Sequence, residues 1–590
     1  MGPIRRGSRV VLTGLTLIAA GALLSAQPAS NDTSQAFLAK ETRVERAPYG
    51  TLADLEKRID QRQSAGADVT KALELLAEAR GLESQAAALA NEGKSEQADA
   101  ALTQAGERAD AAYCVTVPSR QGEFRGVWMT PRQNTDWDEV MGDLQQAGFN
   151  AIFPNLNNGG SAMYPSDVLP RNTGLSDRDM LAECLEAAEK HGIEVHVWRI
   201  NWALFWGTPG EFIERLRQEG RLQVNPEGKF MSETGHWYKR EAMCPAHEEN
   251  RRIERESMLE LVRKWPVAGI HFDYMRFPSD QQCFCPTCRE RFEKETGIQV
   301  ENWPEECLGG GKHIGAWRQW RRDLMTSLAA EIAVEAHRIR PDVKVSLAAR
   351  SGVDWTLYAD AQDWPRWARE NYLDFICPMD YTGDLDRLRR SLDHQQERVA
   401  GSVPFFVGHG LVKSPAILAS AIEVGREMGA DGFLYFDYRG VRDWLPTLRL
   451  GPTAAEPGVP YRAPAISFEQ VGGTPGQGAV RWRYRQGSNV EARVQIAPRV
   501  SLPAELRKAR ATVAVETAQG TELLPLGGLE ARPWTARTFE FPAPGGRWRL
   551  VVCGEMELLG GTTLPYTVRG PLCESTYGYV PGIPFVSPRQ

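Results

Sequence analysis

A (β/α)8 barrel of the α/β class, preceded by an α-helical hairpin and followed by a β-sandwich, is the architecture this sequence predicts. Three observations carry the prediction. Between Gly122 and Gly451, eight short apolar runs alternate with amphipathic stretches. Ahead of that span, a segment rich in Ala, Glu, Gln and Leu repeats its apolar residues at helical spacing. Behind it, a Pro-rich connector leads into alternating β pattern. The 590 residues are 42% hydrophobic and 25% charged, which suits several globular units and excludes collagen, a largely disordered chain and a polytopic membrane protein. A net charge of −7 leaves no basic footprint, so nucleic acid is not an expected partner.

Residues 1–26 read as a secretion signal. Arg5, Arg6 and Arg9 precede an apolar run from Val10 to Leu24, and Ser25-Ala26 offers a small-residue cleavage site. The run is short for a membrane span, and no later stretch approaches one, so the mature protein is expected to be exported, periplasmic or extracellular, without an integral membrane segment. Residues 27–50 are a polar linker. From 51 to 114, Leu75, Leu82 and Leu89 recur at heptad spacing, Ala98, Ala101, Leu102, Ala105 and Ala109 continue the stripe, and Gly93 marks a turn. This is a helical hairpin or three-helix coil, read as a spacer or docking element whose protein partner the sequence does not name.

The barrel is expected over 120–452, with strands at 124–129, 149–156, 193–200, 268–274, 343–349, 373–380, 403–408 and 431–437. Helices fall at 138–147, 178–190, 247–264, 316–339, 385–399 and 414–428, and Ser176 is a cap for the second of these. The rival, a doubly wound sheet, usually has a Gly-rich phosphate turn after its first strand, where this chain has Met129-Thr130-Pro131-Arg132. The β-sandwich follows over 453–590, with strands near 478–484, 491–497, 511–517 and 547–553.

A barrel of this type presents its reacting groups at the C-terminal ends of its strands. Those ends supply Trp128, Asn155, Asn157, Trp198, Asn201, His271, Asp273, Tyr274, Arg276, Asp380, Tyr381, His409 and Asp437. Alternation puts Gly269, His271 and Asp273 on one face of strand 4 and Ile270 and Phe272 on the other, aiming Asp273 into the mouth. The bland alternative is a carboxylate pairing with Arg276 or Arg125, and for Asp437 a cap or a pair with Arg439 or Arg442. Two carboxylates across a mouth are what glycoside hydrolysis needs, and Asp273 with Asp380 is the expected pair. Rim aromatics (Trp128, Tyr164, Trp202, Trp206, Trp237, Tyr274, Tyr381) would stack on sugar faces. Asn155, Asn157, Trp198, Asn201, His271, Arg276 and His409 complete the expected substrate-binding set. No cofactor is needed for that chemistry. A metal-dependent hydrolase using His196, His271 and His409 lacks the usual H-x-H after strand 1, and a chitinase-like site lacks the D-x-E at strand 4. A non-catalytic glycan-binding barrel shares every aromatic feature and differs only in turnover.

EFRGVWMT, GFNAIFPNL, HGIEVHVW, GIHFDYMRFP and CPMDY, together spanning about 122–450, resemble the bacterial glycosyl hydrolase-like barrel family, often termed family 10 glycosylhydrolase and distinct from the xylanases. The resemblance implies a (β/α)8 barrel in an exported or envelope protein that acts on glycosidic bonds of a carbohydrate polymer. One member is similar to a peptidoglycan glycan-strand hydrolase. Asp273 and Arg276 match the family's strand-4 Asp and Arg.

Ten cysteines remain. Cys283, Cys285, Cys288 and Cys307 cluster in one segment and suit either a structural zinc or two disulfides. Cys553 and Cys573 are close enough in sequence to pair with each other.

Overall fold

The computed structural model describes residues 47–457, apart from 121–122, 176–177, 235–239, 341, 371 and 400–402, together with the strands between 478 and 574. The expected signal, most of the linker, Ser176 and Trp237 lie outside the described residues.

Eight parallel strands form the barrel: β1 Phe124–Met129, β2 Ala151–Asn157, β3 Glu194–Ile200, β4 Gly269–Asp273, β5 Lys344–Ala349, β6 Phe375–Pro378, β7 Phe406–Gly410 and β8 Gly432–Phe436. They hydrogen-bond in the order β6-β5-β4-β3-β2-β1-β8-β7. Parallel bridges Ile376–Phe405 and Met379–Gly408 bring the two ends together. Every strand is buried on both faces, which is why each reads as a near-continuous apolar run. The inward side chains fill the lumen: Phe124 stacks on Phe406 at 4.1 Å, and Phe153 on His196 at 4.8 Å. Gly408 is inward too. A Cβ there would stand 2.7 Å from the Trp128 ring and 2.6 Å from the Pro378 carbonyl oxygen, so only glycine fits.

At the N-terminal end of the barrel, the buried carboxylate of Glu123 accepts from Arg125 Nε at 3.1 Å and from Arg426 Nη2 at 2.6 Å. Arg125 also donates to the carbonyls of Gly148, Thr453 and Ala455. Arg125 is thus committed to Glu123, leaving Arg276 as the basic partner of Asp273.

Helices Leu52–Ser64, Thr70–Asn91 and Ser95–Val115 precede the barrel. They do not stand off as a spacer. Leu55 and Ile59 are fully buried in the same apolar layer as the barrel helices, and Arg58 and Arg62 both bind Glu423 of helix Pro415–Glu427. The C-terminal strands form antiparallel sheets of three and five, with Trp548, Phe541 and Val513 buried among them. There Cys573 pairs in register with Trp548, five positions along the strand from Cys553. That is about 17 Å at strand rise, beyond disulfide reach.

Candidate active site

Asp273 is the last residue of β4, buried at the C-terminal end of the barrel strands. Ile270 and Phe272 face the helix layer, and His271 and Asp273 face inward, as alternation requires. Trp128 Nε1 donates to His271 Nε2 at 3.0 Å, which makes Nε2 the acceptor. The ring proton is therefore on Nδ1, 2.8 Å from Ser346 Oγ. Burial, then the neighbouring His196, holds this imidazole well below its ordinary pKa, so it is a neutral brace beneath the site.

Above it, Asp273 Oδ1 accepts the Tyr274 N–H at 2.7 Å, and Oδ2 accepts Trp198 Nε1 at 3.1 Å. Arg276 Nη1 stands 3.5 Å from Oδ1. Burial raises the carboxyl's pKa more than Arg276, the Tyr274 N–H, Trp198 and Arg350 lower it, so the group holds a proton more readily than an exposed Asp. Tyr274 adopts left-handed backbone (φ 54), uncommon for a non-glycine residue, and its ring lies 4.2 Å beneath the Arg276 guanidinium. Phe205 meets the Tyr274 ring edge-on at 5.5 Å.

Tyr381, just past β6, stacks on Phe436 at 5.4 Å and meets Trp128 edge-on. Burial pushes its phenol well up, and Asp273, Tyr274, Cys377 and Asp437 push it further, so the hydroxyl keeps its proton between the tops of β4 and β8. Asp437 caps helix Tyr438–Val441 through the Gly440 N–H at 3.2 Å and pairs with Arg439. β8 lies four places from β4 around the ring, so Asp437 sits just past a strand end on the far side of the barrel from Asp273.

Several expected site residues are elsewhere. Asp380 follows the inward Met379 and turns outward; its Oδ1 accepts from Ser391 at 2.6 Å and Gln395 at 2.9 Å on helix Leu385–Val399. It does not oppose Asp273. Burial pushes its carboxyl up to about 6. Asn157 and Asn201 are also in the outer layer. Glu254, on helix Glu248–Lys264, accepts from Arg199 at 2.8 Å, Asn201 at 2.7 Å and the Trp202 N–H at 2.8 Å, while Arg199 reaches Asn157. An irregularity between Asn155 and Asn157 in the β2–β3 register explains why alternation misplaces the second. Asn155 donates to the Trp198 carbonyl at 3.2 Å. His409 lies between two inward glycines and so faces the helix layer, near the Phe433 ring; burial pushes it down to about 3. Tyr164 and Trp202 are buried in the outer core, so neither is a rim platform.

The loop after β5, the one strand end left unread in the sequence, contributes the residues that sequence reasoning missed. Arg350 Nε pairs with Asp360 Oδ2 at 3.0 Å, and the Asp360 carbonyl accepts the Phe277 N–H, tying this loop to the one after β4. Arg350 follows directly on the strand, so the strand-end rule alone would have found it. Trp355 and Tyr358 stack at 5.8 Å with 57% and 41% of their surfaces exposed, and the Arg318 guanidinium lies 3.5 Å over the Tyr358 ring, so Trp355 is the more open face.

Cys283, Cys285 and Cys288 are together, but Cys307 is not with them. The fourth sulfur is Cys244, from the segment before helix Glu248–Lys264. No described His group could hold a metal, so the His196, His271 and His409 arrangement does not arise among the described residues.

Residues 123–408 match the glycosyl hydrolase-like 10 family. The resemblance read from the strand motifs is borne out. Similar curated proteins include glycosyl hydrolase DigH of Escherichia coli (strain K12), 22% identical over 44% of this chain and 65% of the relative. Glycosyl hydrolase YngK of Bacillus subtilis (strain 168) is 21% identical over 44% of this chain and 54% of the relative. The match thus spans less than two thirds of either relative. Among solved structures, the PgaB (BpsB) glycoside hydrolase domain of Bordetella bronchiseptica aligns with a TM-score of 0.46 at 12% identity, covering 57% of this chain and 99% of that domain. A β-galactosidase from Bacillus circulans sp. alkalophilus aligns at 0.42 and 15% identity, over 56% of each chain.

Proposed function

We propose that this protein is an exported glycoside hydrolase that cleaves O-glycosyl bonds within a polysaccharide, peptidoglycan glycan strands foremost, with Asp273 as its acid/base carboxyl. One observation carries the reading: a buried carboxyl with raised proton affinity closes β4 at the mouth of a barrel of a glycosyl hydrolase-like family. A group that must give and then take a proton is served by holding it more readily than an exposed Asp does. Trp198 and the Tyr274 N–H fix the carboxyl's direction, and Arg276 supplies positive charge beside it when it ionises. Asp437 is the second carboxylate, acting as nucleophile or as base for water. Its separation from Asp273 in the substrate complex decides between retention, at about 5–5.5 Å, and inversion, at about 6.5–9.5 Å. Tyr381 stands between them as a neutral hydroxyl for the sugar, and Trp355 with Tyr358 offers a stacking surface further along the strand.

The test is product analysis after incubating the purified protein with peptidoglycan, denuded glycan strands and a panel of polysaccharides. New reducing ends and shortened oligosaccharides from one of these are expected. Saturable binding without product on any of them would reject hydrolysis in favour of a glycan-binding barrel.

A further inference from the structure

We propose that Cys244, Cys283, Cys285 and Cys288 hold one tetrahedral zinc ion that clamps the loop after β4 to the segment entering helix Glu248–Lys264. The inference is independent of the proposed activity.

The four sulfurs lie within 4.8 Å of one another, and all four residues are buried. Cys244 Sγ is 3.5 Å from both Cys285 Sγ and Cys288 Sγ. A tetrahedron of thiolates around zinc, with bonds of about 2.3 Å, has edges of about 3.8 Å. A disulfide would bring one pair to about 2.05 Å and exclude the third sulfur. One sulfur equidistant from two others is the pattern of ligands around a common centre. Soft sulfur donors in a closed four-coordinate set suit zinc and leave no open position for substrate, so the role is structural.

The surroundings suit thiolates. Cys285 is the N-cap of helix Pro286–Thr296 and Cys288 lies in its first turn, where the helix dipole favours negative charge. The fully buried Arg321 donates to the carbonyls of Ser279 at 2.6 Å and Gln282 at 2.7 Å, holding a guanidinium beside the loop that bears the cysteines. The Cys244 N–H donates to the Arg221 carbonyl at 2.8 Å, and the Phe284 N–H to the Val224 carbonyl at 2.9 Å, so both arms of the site are pinned at the backbone. The same loop begins with Asp273, Tyr274 and Arg276, and the helix that follows Cys244 carries Glu254. Cys307, buried but outside the cluster, is a built-in control.

Elemental analysis of the purified full-length protein should find one zinc per chain. Native thiol titration should find the four cluster cysteines protected until a chelator and denaturant are added together. Cys244→Ser should lose the zinc, and Cys307→Ser should keep it. If Cys244→Ser does not fold, cobalt exchanged into the wild-type protein should show the absorption of a tetrahedral thiolate site. Four freely reactive thiols without metal, two disulfides by mass spectrometry, or zinc lost from Cys307→Ser and kept by Cys244→Ser would each overturn the proposal.

Discussion

Replacing Asp273 by Asn keeps its volume and removes its charge. If the carboxyl is the acid/base group, kcat/KM should fall about 10²–10⁴-fold, or about 2.7–5.4 kcal/mol at 1.36 kcal/mol per decade. The structural cost is smaller. The amide has one acceptor oxygen in place of two, so either the Tyr274 N–H or Trp198 Nε1 loses its partner, at about 1–3 kcal/mol. This cost depends on pH with a definite sign. The folded pKa of Asp273 is raised, so the stability it contributes is complete below the ordinary carboxyl value near 4 and is lost as pH rises through the folded value. Asn carries no such loss. The melting temperature of Asp273→Asn should therefore lie further below wild type at pH 4 than at pH 7. Reducing-end release and melting temperature, measured on one preparation at both pH values, test the reasoning. Lowered stability with specific activity within about twofold of wild type would show that Asp273 only anchors Arg276.

Asp380→Asn should leave activity unchanged. It should also remove a loss of stability as pH rises from about 4 through 6, since burial raises that carboxyl and its acceptor bonds from Ser391 and Gln395 survive in the amide; thermal melts across that range read it, and inactivity in a folded variant would restore Asp380 to the catalytic pair. Glu254→Ala should cost about 3–5 kcal/mol in urea unfolding, because it strands the buried Arg199 charge and two further donors. Trp355→Ala should raise KM for polymeric substrate about two- to tenfold with kcat unchanged, the size of one aromatic contact, while melting stays within a degree or two of wild type; a fall in kcat at unchanged KM would move Trp355 out of the binding surface.

The barrel was legible because parallel strands are apolar on both faces and leave a strong local signal. β1 was read to the residue, and the others within two or three. The C-terminal strands Leu523–Ala531, Ala536–Pro542 and Thr563–Arg569 fall outside the runs read as strands; Pro525, Gly527 and Pro565 interrupt the first and last, while Ala536–Pro542 is short. At the site, HFD on β4 was readable since a regular strand obeys period two. Asp380, Asn157 and His409 lie where that rule stops being enough: past a strand end, across a register irregularity, and between two glycines packed against the Trp128 and Tyr381 rings. Cys244 could not be found by spacing at all. It lies 39 positions before Cys283, and only the packing of two loops brings them together.

The arrangement around Glu123 bears on how the ring can be completed. Its two guanidinium partners come from opposite ends of the barrel sequence, Arg125 on β1 and Arg426 on the helix before β8, and Arg426 also donates to the carbonyls of Pro118 and Pro452. Neither end of the barrel can finish its own contacts until the other has arrived. A nascent chain released after β7 would lack Arg426 beside Glu123 and leave β1 an open edge. The stretch from helix Pro415–Glu427 through Ala455 is therefore what converts a curled sheet into a closed cylinder: β8 pairs with β1, and the carbonyls of Pro452, Thr453 and Ala455 then accept from Arg426 and Arg125.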